Sequence, residues 1–217
     1  MAPVVIGKLS TTSKAIRDEY VQHLIALSDY ALKSEPEVSQ YAIFVPRDEA
    51  DDKTCWVLEE YATKAAFDTH MASPPVQDMI KWIGSGNILA TEPLIRQLDY
   101  VDGMFFSKPE ISKVNEPYVV FATIEWHPGK RDASIPYWNR VFQETKSESG
   151  TFSYGVMAAK DRPDTLHTFE VYESKEYLWD VHVKENSGVQ ATIRDTKDWR
   201  ISLEHNLLQK VGGFLHR

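Results

Sequence analysis

Apolar residues follow two rhythms along the chain, and the rhythms take turns. Residues 4–9 read as a short alternating strand. Ile16, Tyr20, Leu24, Leu27 and Ala31 then recur at spacings of four, four, three and four, which places them on one face of a helix. Ser13 is positioned to cap its start. Glu35-Pro36 ends it, because the residue before a proline disfavours helix. Residues 41–45 and 54–61 read as antiparallel strands around the polar loop 47–53. A second helical stretch begins at Lys64 and restarts at Ser73-Pro74, with serine as N-cap and proline in the first turn. After Pro93, residues 94–101 supply a closing strand, so the order is βαββαβ.

The second half repeats that order. Strand 118–126 is followed by helix 135–148, set off by His127-Pro128-Gly129. Residues 152–159 and 166–172 form a hairpin, residues 175–196 are helical with a break at Asn186-Ser187-Gly188, and 207–211 closes the unit. The wording repeats as well. Leu58-Glu59-Glu60-Tyr61-Ala62-Thr63-Lys64 returns as Phe169-Glu170-Val171-Tyr172-Glu173-Ser174-Lys175, and each phrase leads into a helix with a histidine, His70 or His182. Tyr41 and Tyr154 open equivalent strands, and the two-residue change of register between them and Tyr61 and Tyr172 falls where loop 47–53 exceeds its counterpart at 161–165. A period of roughly 110 residues is too long for a solenoid and implies a duplicated domain.

A βαββαβ unit is the ferredoxin-like pattern, with two helices on one face of a four-stranded sheet. The other face is apolar here too and must be covered. The expected fold is therefore α+β: two tandem ferredoxin-like βαββαβ units packed sheet to sheet as an intramolecular α/β barrel. The expected divisions are 1–106 and 118–217, joined by a polar linker at 107–117 that is bracketed by Pro109 and Pro117.

Composition narrows the function. Of the 217 residues 42% are apolar, so each half can build a core. No apolar run reaches the length of a membrane span, and the first residues lack a basic-then-apolar signal. The net charge of −8 speaks against nucleic acid or an anionic membrane as partner. The single cysteine, Cys55, forms no internal disulfide, and no Cys/His cluster has zinc spacing. The expectation is a cytoplasmic protein with no metal. Gly84-Ser85-Gly86 lacks the third glycine of a dinucleotide loop, and neither a Walker motif nor a His-Glu-x-x-His pair occurs.

The strand-Glu-x-Tyr phrase, the histidine-bearing helix and the Ser-Pro restart resemble the antibiotic biosynthesis monooxygenase domain of the dimeric α/β barrel superfamily. In the first half Glu59-x-Tyr61, Ala66-Phe67, His70 and Ser73-Pro74 stand in the family pattern. In the second, His182 lies one residue further from its tyrosine than His70 does, and Asn186-Ser187-Gly188 lacks the proline. The resemblance implies oxidation of an electron-rich aromatic, polyketide or anthrone-like, by O2 without a cofactor. Such a reaction needs a base, donors for an oxyanion and an apolar cavity. It also implies a pseudo-dimer within one chain, with room for a further homodimer.

The candidate catalytic residues are His70, Tyr61 and Glu59. A neutral imidazole accepts a proton near pH 7, and strand alternation puts Tyr61 and Glu59 on one face. Candidate substrate contacts are Trp56, Tyr41, Tyr172, Trp138, Asn139 and His182. Each has a plain structural reading beside it, since buried tyrosine and tryptophan most often fill core. Two other classes stay open: a haem-binding or haem-degrading barrel using His70 or His182, and a non-catalytic small-molecule-binding or stress-response barrel. The closer match of the first half points to it as the working cavity, with the second half mainly scaffold.

Overall fold

A computed structural model describes residues 4–217. Two compact units share the chain: residues up to Asp99 with Gln209–Arg217 form one, and Tyr100–Leu208 the other. The expected boundaries at 106 and 118 thus fall inside the second unit, and the chain's last strand returns to the first.

The first unit contains β1 (Val4–Ser10), α1 (Lys14–Ser34), β2 (Val38–Pro46), β3 (Thr54–Tyr61), α2 (Lys64–Ala72), α3 (Pro74–Gly84) and the start of β4 (Leu94–Ser107). β3 lies antiparallel between β1 and β2, and β1 also pairs with β4. Val5 faces Glu59 across the β1–β3 ladder, and Gly7 faces Val57. Because side chains alternate, Val5, Leu9, Cys55, Val57 and Tyr61 share one face. They form a core with Tyr20, Leu24, Leu27 and Ala31 of α1. The spacing of those α1 residues is what seats the helix. Burying a leucine fully is worth roughly 1.5–3 kcal/mol. The Ser13 hydroxyl caps α1 by accepting from the Ile16 N–H at 3.3 Å, and the helix ends at Glu35 as the proline requires. The guanidinium of Arg217 donates to the Glu35 and Val38 carbonyls at 2.6 and 2.8 Å, satisfying acceptors at the end of α1.

The second unit contains β5 (Tyr118–Trp126), α4 (Lys130–Thr145), β6 (Thr151–Ala158), β7 (Thr165–Tyr172), a π-helix (Tyr177–Val183), α5 (Ser187–Thr196) and the start of β8 (Arg200–Phe214). β7 lies between β5 and β6, with Val120 opposite Glu170 and Ala122 opposite Thr168. Val120, Ala122, Ile124 and Trp126 pack with Val141, Phe142 and Leu178 in the core. By hydrogen bonding the strands of the first unit run in the order β4-β1-β3-β2-β8 and those of the second β8-β5-β7-β6-β4, with β4 and β8 contributing one end to each. The fold is α+β, as the repeat implied. No helix among the described residues is long and apolar enough to cross a membrane.

Several bounds differ from those read in the sequence. α4 begins at Lys130, five residues ahead of its expected start at 135, and carries Pro136 inside it. Gly129 precedes it with φ 75, a left-handed turn that glycine adopts without strain. β4 and β8 run on to Ser107 and back to Arg200, well past 94–101 and 207–211. Asp102-Gly103 looks like a hairpin turn in sequence. Both residues do have positive φ (49 and 69), yet they sit within β4 as an irregularity in the strand. The expected linker holds a 3₁₀ turn, Pro109–Lys113, anchored by buried Ile111.

Candidate functional site

In the first unit, five polar side chains meet under α2. The Tyr61 hydroxyl donates to Glu59 at 2.5 Å, and the Tyr41 hydroxyl also hydrogen-bonds this carboxylate. His70 Nδ1 lies 2.7 Å from Glu35, which stands at the end of α1. The His70 ring sits 5.6 Å from that of Tyr41 and 5.5 Å from that of Tyr61. α2 aims the histidine inward because Thr63 caps the helix, its hydroxyl accepting from the Ala66 N–H at 3.1 Å. Phe67, one turn earlier, packs edge-on against Tyr61. Burial raises the Glu59 carboxyl above its ordinary value, although His70 and the two phenols favour its charged form. Burial, with Glu59 beside them, also pushes both phenols far above the usual range.

The second unit holds the same constellation. Tyr172 donates to Glu170 at 2.8 Å, Tyr154 hydrogen-bonds Glu170 as well, and His182 Nδ1 lies 3.0 Å from Glu148. Its ring is 5.7 Å from Tyr154 and 5.1 Å from Tyr172. The one-residue offset of His182 therefore does not displace it, because Tyr177–Val183 is a π-helix. Its wider turn takes up the extra residue. Leu178 stands as far past Tyr172 as Phe67 stands past Tyr61, so the insertion falls between Leu178 and His182.

The missing Ser-Pro has a replacement too. Asn186 caps α5 by accepting from the Val189 N–H at 3.0 Å, and its amide donates to Glu148 at 2.7 Å. Burial would raise the Glu148 carboxyl, but hydrogen bonds from His182, Asn186 and Thr151 outweigh it and hold it below the ordinary range. Ser73 in the first unit makes no such capping bond.

Each unit has an apolar cavity between its sheet and its helices. The first, ≈ 250 Å³, is lined by Tyr20, Tyr41, Glu59 and His70 among aliphatic side chains. The second, ≈ 140 Å³, is bounded by Tyr154, Glu170 and His182 with Trp138, Thr168 and Arg200. Of the sequence candidates, His70, Glu59 and Tyr41 line the first cavity, while Trp138 and His182 line the second. Tyr61 and Tyr172 stand behind the carboxylates and line neither cavity. Trp56 lines neither, since alternation along β3 points it to the other sheet face from Val57 and Glu59. Asn139 is exposed on α4 and bonds to Gln143. The sequence reading overlooked Glu35 and Glu148, the carboxylates that hold the two histidines. Their matched positions ahead of Tyr41 and Tyr154 were the available signal. Among the described residues no cluster of His, Cys, Asp and Glu could hold a metal ion.

No curated protein matches the chain. Among solved structures, a proposed monooxygenase from Lactobacillus acidophilus NCFM is 17% identical with TM-score 0.78, covering 100% of both chains. One from Fusobacterium nucleatum is 16% identical with TM-score 0.84, covering 98% of this chain and 96% of its own. An anthrone oxidase-like protein is 11% identical with TM-score 0.67, covering 97% and 91%. These likenesses establish the fold. The sequence profile of the antibiotic biosynthesis monooxygenase family matches residues 3–82 and again 117–192, most of the chain in two copies, and the chain belongs to that family.

Proposed function

We propose that this chain is a monooxygenase that oxidises a small, flat, electron-rich aromatic with O2, and that the first unit carries the reaction. The observation that supports it is the ≈ 250 Å³ apolar cavity with His70, Glu59 and Tyr41 gathered in its wall. With Nδ1 given to Glu35, His70 keeps Nε2 to take a proton from the substrate. Glu35 orients the ring and stabilises the imidazolium that forms. Burial favours the neutral acid of Glu59, which can donate to an oxygen of the substrate as it becomes an oxyanion.

The deprotonated aromatic is itself the reductant. It passes one electron to O2, and the radical pair joins into a carbon-bound peroxide. Loss of water then leaves a quinone carbonyl, so one oxygen atom enters the product and the other leaves as H2O. The protein supplies the base, the donor and a dry enclosure. A cavity of about 150 Å³ holds benzene. By that yardstick ≈ 250 Å³ suits a two-ring hydroxyaromatic, whereas a porphyrin needs far more room.

The test is oxygen uptake by the full chain, treated with chelator, on a panel of hydroxynaphthalenes and anthrones. We expect uptake above spontaneous autoxidation, with kcat lowered about 10²–10⁴-fold in His70→Ala. No uptake above autoxidation on any member, or uptake unchanged in His70→Ala, would sink the proposal.

A further inference from the structure

The two cavities share a Glu-Tyr-His wall but differ elsewhere, and polar groups are among the differences. Where β3 places Val57 opposite Gly7, β7 places Thr168 opposite Ala122. Thr168 is fully buried, on the strand face that lines the second cavity, and its hydroxyl has no hydrogen-bond partner. Trp138 of α4 lines the same cavity, and its indole N–H is likewise buried without a partner. A buried polar group left unpaired costs about 1–3 kcal/mol, and in native proteins such groups are few and ask for a cause. Two of them in the wall of one cavity share a simple cause, a ligand that pairs with both.

Arg200 supplies the third element. The His127 N–H donates to the Trp199 carbonyl at 2.9 Å, which sets Arg200 level with Trp126, at the far end of β5 from Val120. It lines the cavity and, among the described residues, makes no ion pair with a carboxylate and bonds only the Ile193 carbonyl, at 3.4 Å. The first cavity has no cation in its wall. Glu170, opposite Val120, is six residues of strand away, ~20 Å at the rise of a β-strand, and its carboxyl already bonds Tyr154 and Tyr172. Thr168, level with Ala122, is four residues from Arg200, ~13 Å between backbones, and the two side chains shorten that gap.

We propose that the second unit's cavity is a binding site of its own, for a single-ring aromatic carboxylate that carries a hydroxyl at the opposite end of the ring. The ring fills a space of benzene size, ≈ 140 Å³. Its hydroxyl meets Thr168 and Trp138 inside, and its carboxylate meets Arg200 at the mouth. The π-helix contributes Leu178, Trp179, His182 and Val183 to the wall, in keeping with the frequent occurrence of π-helical turns at ligand sites. The second unit is then a ligand receptor beside the first unit's chemistry, and not scaffold alone.

Calorimetric titration of the full chain with 4-hydroxybenzoate tests this. We expect saturable binding of one molecule per chain. Thr168→Val should weaken it about tenfold while raising the melting temperature of the unliganded protein, because the variant removes an unpaired hydroxyl. Loss of affinity in a more stable protein separates ligand contact from misfolding. Arg200→Gln should weaken binding and flatten its dependence on salt. Met79 lines the first cavity, so Met79→Trp, which puts an indole into that space, should leave binding unchanged. The proposal is overturned by absence of saturable binding, by wild-type affinity in both Thr168→Val and Arg200→Gln, or by loss of binding in Met79→Trp.

Discussion

If the π-helix exists only to absorb one extra residue, that residue should be removable. The surplus lies between Leu178 and His182, and Asp180 is the exposed polar residue of that stretch. Deleting Asp180 would leave Leu178-Trp179-Val181-His182, the same spacing as Phe67-Asp68-Thr69-His70 in α2. What is lost is an exposed pair, Lys184 with Asp180 at i,i+4, worth at most about 0.5 kcal/mol. What is gained is ordinary α-helical hydrogen bonding in place of a wide turn, so the net change should stay within about 1 kcal/mol.

The opposite outcome is large. Were the helix α-like from Tyr177 onward, the deletion would rotate every later residue by about 100° and swing His182 off Glu148. Breaking that buried pair would cost about 3–5 kcal/mol. For a chain of this length each kcal/mol shifts the melting temperature by about 2–4 °C. Thermal melts of wild type and the deletion variant should therefore agree within a few degrees. A fall of about 10 °C or more would refute the reading of Tyr177–Val183 as an absorbed insertion.

Two carboxyls at different places in the repeated network, Glu148 beside His182 and Glu59 beside Tyr61, should show opposite pH behaviour. The folded-state value of Glu148 is depressed from 4.5, so its contribution to stability is present above that value and lost as pH falls through the folded one. Glu148→Gln should thus lose stability at neutral pH and flatten the acid limb of denaturant midpoints. The folded value of Glu59 is raised, so its contribution is present below 4.5 and lost as pH rises through the folded value. Glu59→Gln should gain on wild type towards neutrality, and a loss there would contradict the burial argument. Gly213 has φ +74, and a Cβ there would sit 2.0 Å from the Tyr41 carbonyl oxygen. Gly213→Ala should accordingly cost more than about 2 kcal/mol in urea titrations, and a near-neutral result would mean the close approach is not there. Burial pushes the Cys55 thiol up to about 12, so a disulfide reagent at pH 8 should label it no faster than the protein unfolds. Rapid labelling of native protein would show it to be reachable.

Much of the fold was legible because the signals were local and doubled. The four-and-three spacing of α1, the Ser13 cap and the Glu35-Pro36 stop each fix one helix end or face, and β3 and β5 matched their expected bounds. β4 and β8 were read too short for a physical reason. In β8 the polar run Glu204-His205-Asn206 interrupts the apolar alternation expected of a half-buried strand. Asp102-Gly103 adds a turn signal in mid-strand. Pairing with neighbours sets their length, and that information is held in other strands.

The site was legible as a repeated phrase but misread in its inexact part. The offset histidine and the lost Ser-Pro looked like decay of the second copy. Helical phase cannot be read by counting residues once a π-turn intervenes, and a cap can change from serine to asparagine without loss. Asn186 in fact does more than Ser73, since it both caps α5 and holds Glu148. The divergence that bears on function is quieter and lies in single residues on conserved structural positions: a threonine at Thr168 where the other copy has Val57, and Arg200 where the first cavity has no cation. A duplicated domain in one chain keeps whatever holds its frame, here the Glu-Tyr-Tyr-His-Glu network present in both copies, with its tyrosines and histidines buried. It is free to vary the cavity wall, because each copy's wall can change without changing its twin. The shared network is therefore evidence about architecture first, and the unshared residues are where the two halves should differ in what they bind.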